Sequence, residues 1–199
     1  MKWVNTSPLV RTYTFEEFCE LPEPPNYSKV ELIGGILYLT PRPTLPHSNI
    51  VSRLVRLLTK HCRSSQDKGV VYVPRAGIRG ENTWLEPDFF YVSVETELLL
   101  KGDYHTTADL AVEVITNESA IYDRNTKADT YAALDVKELW LVDELEGLIE
   151  VRVLNGGSYE SHVFEREDQL ISTVLSVSVS ELVTSLAANH APIPVAGDV

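Results

Sequence analysis

Between Leu110 and Ile115 the chain reads LAVEVI, apolar at every position but Glu113. Strands covered on both faces give near-continuous apolar runs of this kind. A glutamate is almost never fully buried unless it is paired, metal-bound or functional. The run therefore requires a sheet buried on both sides and a partner for one carboxylate, with Ala111, Glu113 and Ile115 sharing a face. Asp123 to Leu134 reads as the next helix, with Asp123 as its cap, Ala128, Tyr131 and Ala132 facing the sheet, and Lys127 at the edge of that side. The strand Glu138 to Val142, ELWLV, follows. A helix between apolar strands is a crossover connection, so the pairing is at least partly parallel and the fold class is α/β.

The other elements can be placed around this unit. Thr14 to Leu21 reads as a short helix whose Thr14 and Glu17 form a capping box, ended by Pro22, Pro24 and Pro25. In KVELIGGILYL, Lys29 to Leu39, two apolar runs flank Gly34-Gly35, the signal for a hairpin with positive φ at both turn residues. Glu31 lies in its first strand, either facing water or belonging to a site. After the prolines at 41, 43 and 46, an amphipathic helix spans about His47 to Ser64, with Val51, Leu54 and Leu58 on its apolar face. His47, in its first turn, is either a capping residue or an accessory to a site. Val70 to Ile78 reads as a strand, Glu81-Asn82 as a turn, and Leu85 to Val92 as a strand interrupted by Glu86 and Asp88. A short helix near Val94 to Leu100 follows. Leu148 to Leu154 and Tyr159 to Phe164 flank Asn155-Gly156-Gly157 as a second hairpin, and a strand at Leu170 to Val174 and a helix from about Val179 to Leu186 complete the pattern.

A chain of 199 residues, 44% hydrophobic, can bury one sizeable core. The expected organisation is an N-terminal extension over 1–26, one domain over 27–188 and a loose tail over 189–199. No apolar run reaches the roughly 18 residues of a membrane span, and the N-terminus lacks the apolar core of a signal peptide. Cys19 and Cys62 stand far apart, so both are expected reduced in a cytoplasmic protein. The net charge of −12 argues against dense, non-specific binding to nucleic acid. One segment differs: Ile50 to Lys68 carries a local charge of +4, and Arg53, Arg56, Lys60 and Arg63 align on one helix face. That stripe is either a solvated face or a DNA contact.

Asp88 and Glu113 fall on consecutive central strands, and Lys127 can reach them. Glu113 is three residues from the strand end, roughly 10 Å at ~3.3 Å per residue. Lys127 is four residues into a helix that folds back, roughly 6 Å at ~1.5 Å per residue. Two carboxylates alone in an apolar sheet would repel, whereas a divalent cation and an ammonium would hold both ionised. Mg²⁺ suits such a pair, since it keeps several waters and takes phosphate oxygens through its remaining positions; Mn²⁺ is its natural substitute. The chemistry indicated is phosphoryl transfer, with Lys127 orienting or deprotonating the nucleophile or neutralising developing charge. Spacing alone leaves open a structural alternative, with Asp88 capping a turn, Glu113 paired to an arginine and Lys127 on the surface.

Pro87-Asp88 followed by Glu113 on the next strand resembles the PD-(D/E)XK nuclease superfamily, and more closely its bacterial "putative restriction endonuclease" family. The matching stretches are VELIGGIL (30–37), Pro41 through His47 into the helix, Glu86-Pro87-Asp88, LAVEVIT (110–116), Asp123-Arg124 with Lys127, and LWLVD (139–143), in order over about 27–180. The resemblance implies a restriction endonuclease-like core, a central mixed β-sheet flanked by helices, with added β-hairpins. It also implies that Asp88, Glu113 and the backbone carbonyl of Val114 hold the metal and that Glu31 is the additional acid near it. Where the superfamily carries a lysine two residues after the acid, this chain has Ile115, and Lys127 on the following helix takes that role. A second departure is Ile115-Thr116-Asn117-Glu118, where relatives more often have Ser-Pro.

The expected function is Mg²⁺-dependent hydrolysis of DNA phosphodiester bonds. The alternative is a catalytically inactive module that keeps the fold for DNA or protein binding. Cutting both strands takes two sites, which is compatible with a homodimer. If the basic stripe contacts DNA, reversing the charges of Arg56 and Lys60 will weaken binding and flatten its salt dependence in a titration across ionic strength. Unchanged binding would return the stripe to a solvated helix face.

Overall fold

The computed structural model describes residues 11–22, 27–64, 68–100, 102–116, 119–143, 146, 148–164 and 172–175. In chain order the strands and helices are α1 (Phe15–Cys19), β1 (Tyr27–Ile33), β2 (Ile36–Pro41), α2 (Leu45–Ser64), β3 (Val70–Tyr72), β4 (Ile78–Gly80), β5 (Thr83–Leu85), β6 (Phe89–Val92), α3 (Val94–Glu97) and β7 (Leu110–Ile115). They continue as α4 (Ala120–Tyr122), a π-helical turn (Asp123–Lys127), α5 (Ala128–Ala133), β8 (Glu138–Asp143), β9 (Ile149–Asn155) and β10 (Ser158–Phe164). β7 is buried at all six positions, because helices cover both of its faces. On one side Leu110, Val112 and Val114 pack with Ile50, Leu54, Leu58 and Cys62 of α2. On the other, Ala111 and Ile115 pack with Ala128 and Tyr131 of α5. The period-2 alternation of the strand thus decides that Glu113 points toward α5.

The large sheet has the order β10-β9-β8-β7-β6-β3 and the small one β2-β1-β5-β4. β7 and β8 pair in parallel, joined by the α4–α5 segment, while β6–β7 and β8–β9 are antiparallel. The expected mixed sheet between two helices is therefore present. Both hairpins form as the glycine pairs require, with φ of 56° and 84° at Gly34 and Gly35 and of 59° and 86° at Gly156 and Gly157. Thr14 and Glu17 make both bonds of the capping box on α1. At the start of β7, buried Asp109 accepts from the Ser93 N–H, the Thr96 hydroxyl and Lys137, fixing the strand to the α3 turn.

Several expectations need correction. Leu85 to Val92 is not one strand: β5 belongs to the small sheet and β6 to the large one, and the chain crosses between them at Glu86-Pro87-Asp88. Proline cannot donate to a ladder, so pairing breaks there. Val70 to Ile78 likewise divides into β3 and β4 around Pro74. α2 begins at Leu45 rather than His47, and its buried positions are Ile50, Leu54, Leu58 and Cys62, with Val51 only partly covered. Asp123 is not an N-cap: it follows α4 as that helix's C-cap. The helical segment opens at Ala120, and Asp123 and Lys127 are the buried ends of the π-helical turn. Of the strand expected over Leu170 to Val174, Leu170 and Ile171 lie outside the described residues, and Thr173 to Leu175 forms a bend, because its N–H groups bond side chains: Thr173 donates to Glu138, and Val174 and Leu175 donate to Ser172. The expected helix at 179–186 and the tail lie outside the described residues. Both cysteines are free thiols, Cys19 exposed and Cys62 buried. Among the described residues no helix is long and apolar enough to cross a membrane.

Candidate metal centre and its cleft

The crossing at Pro87 brings the two sheets together and places Asp88 beside Glu113. The Asp88 N–H donates to the Val112 carbonyl at 3.1 Å. The Val114 N–H returns a bond to Asp88 Oδ2 at 2.8 Å. His47, at the start of α2, sets its Nε2 3.1 Å from the same Oδ2. One oxygen of Asp88 is thereby anchored, while Oδ1 faces the Lys29 ammonium at 3.6 Å.

Glu113 repeats the pattern. Its Oε1 receives Lys127 Nζ at 2.7 Å and the Tyr131 hydroxyl at 2.6 Å, both from the π-helical turn and α5. Its Oε2 faces Lys29 Nζ at 3.7 Å. Lys127 is 1% exposed and also meets Glu31 Oε2 at 3.1 Å and Asp123 Oδ1 at 3.6 Å. Glu31, fully buried on β1, accepts the Glu86 N–H at 2.9 Å and lies 3.4 Å from the Tyr122 hydroxyl. The π-helical turn puts Asp123 and Lys127 on one inward face, and such insertions concentrate at functional sites. Arg124 points away from the cluster and ties the turn to β8 and β9, reaching Glu150 at 3.2 Å and Asp143 at 3.4 Å.

Burial opposes ionisation of Asp88, but Lys29, His47 and the Val114 N–H outweigh it and hold this carboxyl well below the usual range. At Glu113 burial prevails over Lys127 and Lys29, and the pKa is pushed up to about 7. Burial also works against the Lys127 ammonium, yet Glu113, Glu31 and Asp123 hold its pKa well above the ordinary lysine value. Lys127 is thereby held as an ammonium, suited to holding or neutralising an anion.

The cluster opens on a cleft of about 590 Å³ whose walls include Lys29, Arg42, His47, Arg75, Asp88, Glu113, Val114 and Lys127. Four buried acids, Glu31, Asp88, Glu113 and Asp123, meet two ammonium groups, Lys29 and Lys127. With all six ionised the cluster carries two uncompensated negative charges, the amount one divalent cation supplies. Among the described residues no three His, Cys, Asp or Glu side chains form a ready-made cage. Mg²⁺ does not need one, since it binds through one or two carboxylates and keeps several waters. The donor set therefore fits Mg²⁺, through the cleft-facing oxygens of Asp88 and Glu113.

The structure brings Asp88, Glu113, Lys127, Glu31, Val114 and His47 together in one cluster. Of the basic stripe, Arg56, Lys60 and Arg63 are exposed and line a separate shallow groove with Thr59 and Ser64, and Arg53 is half-buried; none of the four lines the cleft. Asn117 and Glu118, in the loop that departs from the resembled pattern, lie outside the described residues. Two participants went unread: Lys29, two residues before Glu31 and so on the same strand face, and Tyr131, one helical turn after Lys127. Either periodicity, applied from the known acid or lysine, would have found them.

Lys127→Met leaves Glu113, Glu31 and Asp123 without their shared cation, and in the metal-free protein this will cost about 3–5 kcal/mol in denaturant unfolding near pH 8. Because the folded-state pKa of Glu113 is raised from 4.5 to about 7, its charge penalty is complete above the higher value and fades as pH falls toward the lower. Without the ammonium the Glu113 pKa rises further, so the loss caused by the substitution will grow as pH rises above about 7 and level off below it. A pH-independent loss would show that the charge of Lys127 is not what stabilises the cluster.

The model of the family described as "Putative restriction endonuclease" (Uma2) matches residues 15–186. No curated protein matches the chain. Among solved structures, a protein described as "a putative nuclease belonging to DUF820 from Anabaena variabilis ATCC 29413" is 18% identical, with 87% of this chain and 99% of that one covered and a TM-score of 0.71. That likeness establishes a shared fold, the restriction endonuclease-like one. With the family model spanning all but the ends of the sequence, the chain belongs to the Uma2 family, described as "Putative restriction endonuclease".

Proposed function

We propose that this protein is a divalent-metal-dependent endonuclease that hydrolyses DNA phosphodiester bonds, with Mg²⁺ as its cofactor and Mn²⁺ as a substitute. The observation that carries this reading is the pair of half-anchored carboxylates. Asp88 and Glu113 each fix one oxygen within the fold and turn the other toward the cleft, at 3.6 Å and 3.7 Å from Lys29 Nζ. Their free oxygens, with the Val114 carbonyl, would hold the cation. Bound there, Mg²⁺ would supply acidification of a water and charge neutralisation at the phosphate.

The rest of the chemistry falls to the chain's own side chains. Lys127, held cationic, keeps Glu113 oriented and offsets charge that develops on the phosphate. Glu31 holds Lys127 from the opposite side and fixes the Glu86 backbone at the crossing. His47 and the Val114 N–H hold the Asp88 carboxylate in a single orientation. Arg42 and Arg75, exposed on the cleft wall, are suited to the flanking phosphates of a DNA strand.

If the site works in this way, Mn²⁺ or Mg²⁺ will raise the melting temperature of the wild type and not of Asp88→Ala. Glu113→Ala and Lys127→Ala will each lose divalent-dependent cleavage of DNA. No thermal shift in the wild type would overturn the metal-dependent reading in favour of an inactive binding module. Full cleavage by Lys127→Ala would remove the lysine from the mechanism.

A further inference from the structure

The two lysines of the cluster are held very differently. Lys127 is locked, with a hydrogen bond to Glu113 at 2.7 Å and a close contact to Glu31 at 3.1 Å. Among the described residues the Lys29 ammonium makes one hydrogen bond, to the Glu86 carbonyl at 2.7 Å. Its carboxylate neighbours, at 3.6 Å and 3.7 Å, lie beyond hydrogen-bond distance. Those neighbours are Asp88 Oδ1 and Glu113 Oε2, the two oxygens left free for a cation. Lys29 lies on the cleft wall, and its side chain is 12% exposed.

We propose that Lys29 is a built-in counter-ion that stands in for the metal when the site is empty and that an incoming divalent cation displaces it. This inference rests on the metal-dependent reading above. The charge logic runs in both directions. Without the metal, removing Lys29 would leave four acids facing one ammonium, so the lysine keeps the unloaded cluster folded. With the metal present, an ammonium so close to the same oxygens opposes the cation. The Glu86 carbonyl gives the displaced side chain a pivot at the cleft wall, where its freed donors face a bound phosphate. Lys29 thereby makes metal occupancy conditional: the site gives up an internal cation only for one that binds its carboxylates directly.

Calorimetric titration of chelator-treated protein with Mn²⁺ tests this. Lys29→Met will bind Mn²⁺ at least about tenfold more tightly than the wild type, while its metal-free melting temperature falls. Lys29→Arg, which keeps the charge, will return the affinity toward the wild-type value. Equal or weaker binding by a folded Lys29→Met, with binding intact in the wild type, overturns the counter-ion role and leaves the metal site standing. Absence of binding in both proteins overturns the metal reading and this inference together. Should Lys29→Met fail to fold, the wild type still decides: amine-reactive labelling of Lys29, read by mass spectrometry against Lys60 as reference, will rise several-fold on adding Mn²⁺. Unchanged or reduced labelling would show that the lysine stays in place.

Discussion

Lys127 meets Glu113 where there is almost no water, and the rest of the fold is arranged to make that contact tolerable. A carboxylate at the centre of β7 is costly to ionise, and an ammonium inside a helix facing the core is equally so. Together they form a pair that survives only with further partners. Glu31 and Asp123 close around the lysine, and Tyr131 donates to the same oxygen of Glu113. The two sheets meet at Pro87 so that Asp88 can complete the group. The apolar remainder of β7, packed by α2 on one face and α5 on the other, gives the low-dielectric setting in which these charges act strongly on each other.

That setting explains why the site divides its cations into two kinds. The tightly bonded ammonium of Lys127 sits among Glu31, Asp123 and one oxygen of Glu113. The more loosely held one of Lys29 faces Asp88 and the other oxygen of Glu113. The distinction follows from distance and hydrogen bonding: Lys127 is within bonding reach of Glu113, whereas Lys29 balances two carboxylates from farther off. The π-helical turn contributes to the same end, since it sets Asp123 and Lys127 at the two ends of one insertion, both buried.

Much of this could be read from residues alone, where local rules decide the outcome. β7, the two glycine hairpins and the α1 capping box followed from period-2 burial, positive φ and side-chain capping. The meeting of Asp88, Glu113 and Lys127 followed from the reach of a strand and a helix, and the addition of Glu31 from the resemblance. What escaped was set by long-range geometry. Leu85 to Val92 looks continuous because every residue but Glu86, Pro87 and Asp88 is apolar; that its halves belong to different sheets depends on where β1 and β7 lie. Lys127 was placed at an edge because a lysine ordinarily keeps its charge in water, and its burial depends on three acids contributed by three separate elements. Lys29 was invisible for a related reason: beside an acid, on a strand, it looks like an ordinary surface alternation until β1 is known to lie between β2 and β5.

The claim at the centre is that the free oxygens of Asp88 and Glu113 form a cation site. Crystals soaked in Mn²⁺ and measured at the manganese absorption edge test it most directly. The expected result is a single anomalous peak between Asp88 Oδ1 and Glu113 Oε2, with Lys29 moved aside. A well-ordered crystal at saturating Mn²⁺ with no peak between the two carboxylates, and Lys29 still facing both, would contradict it.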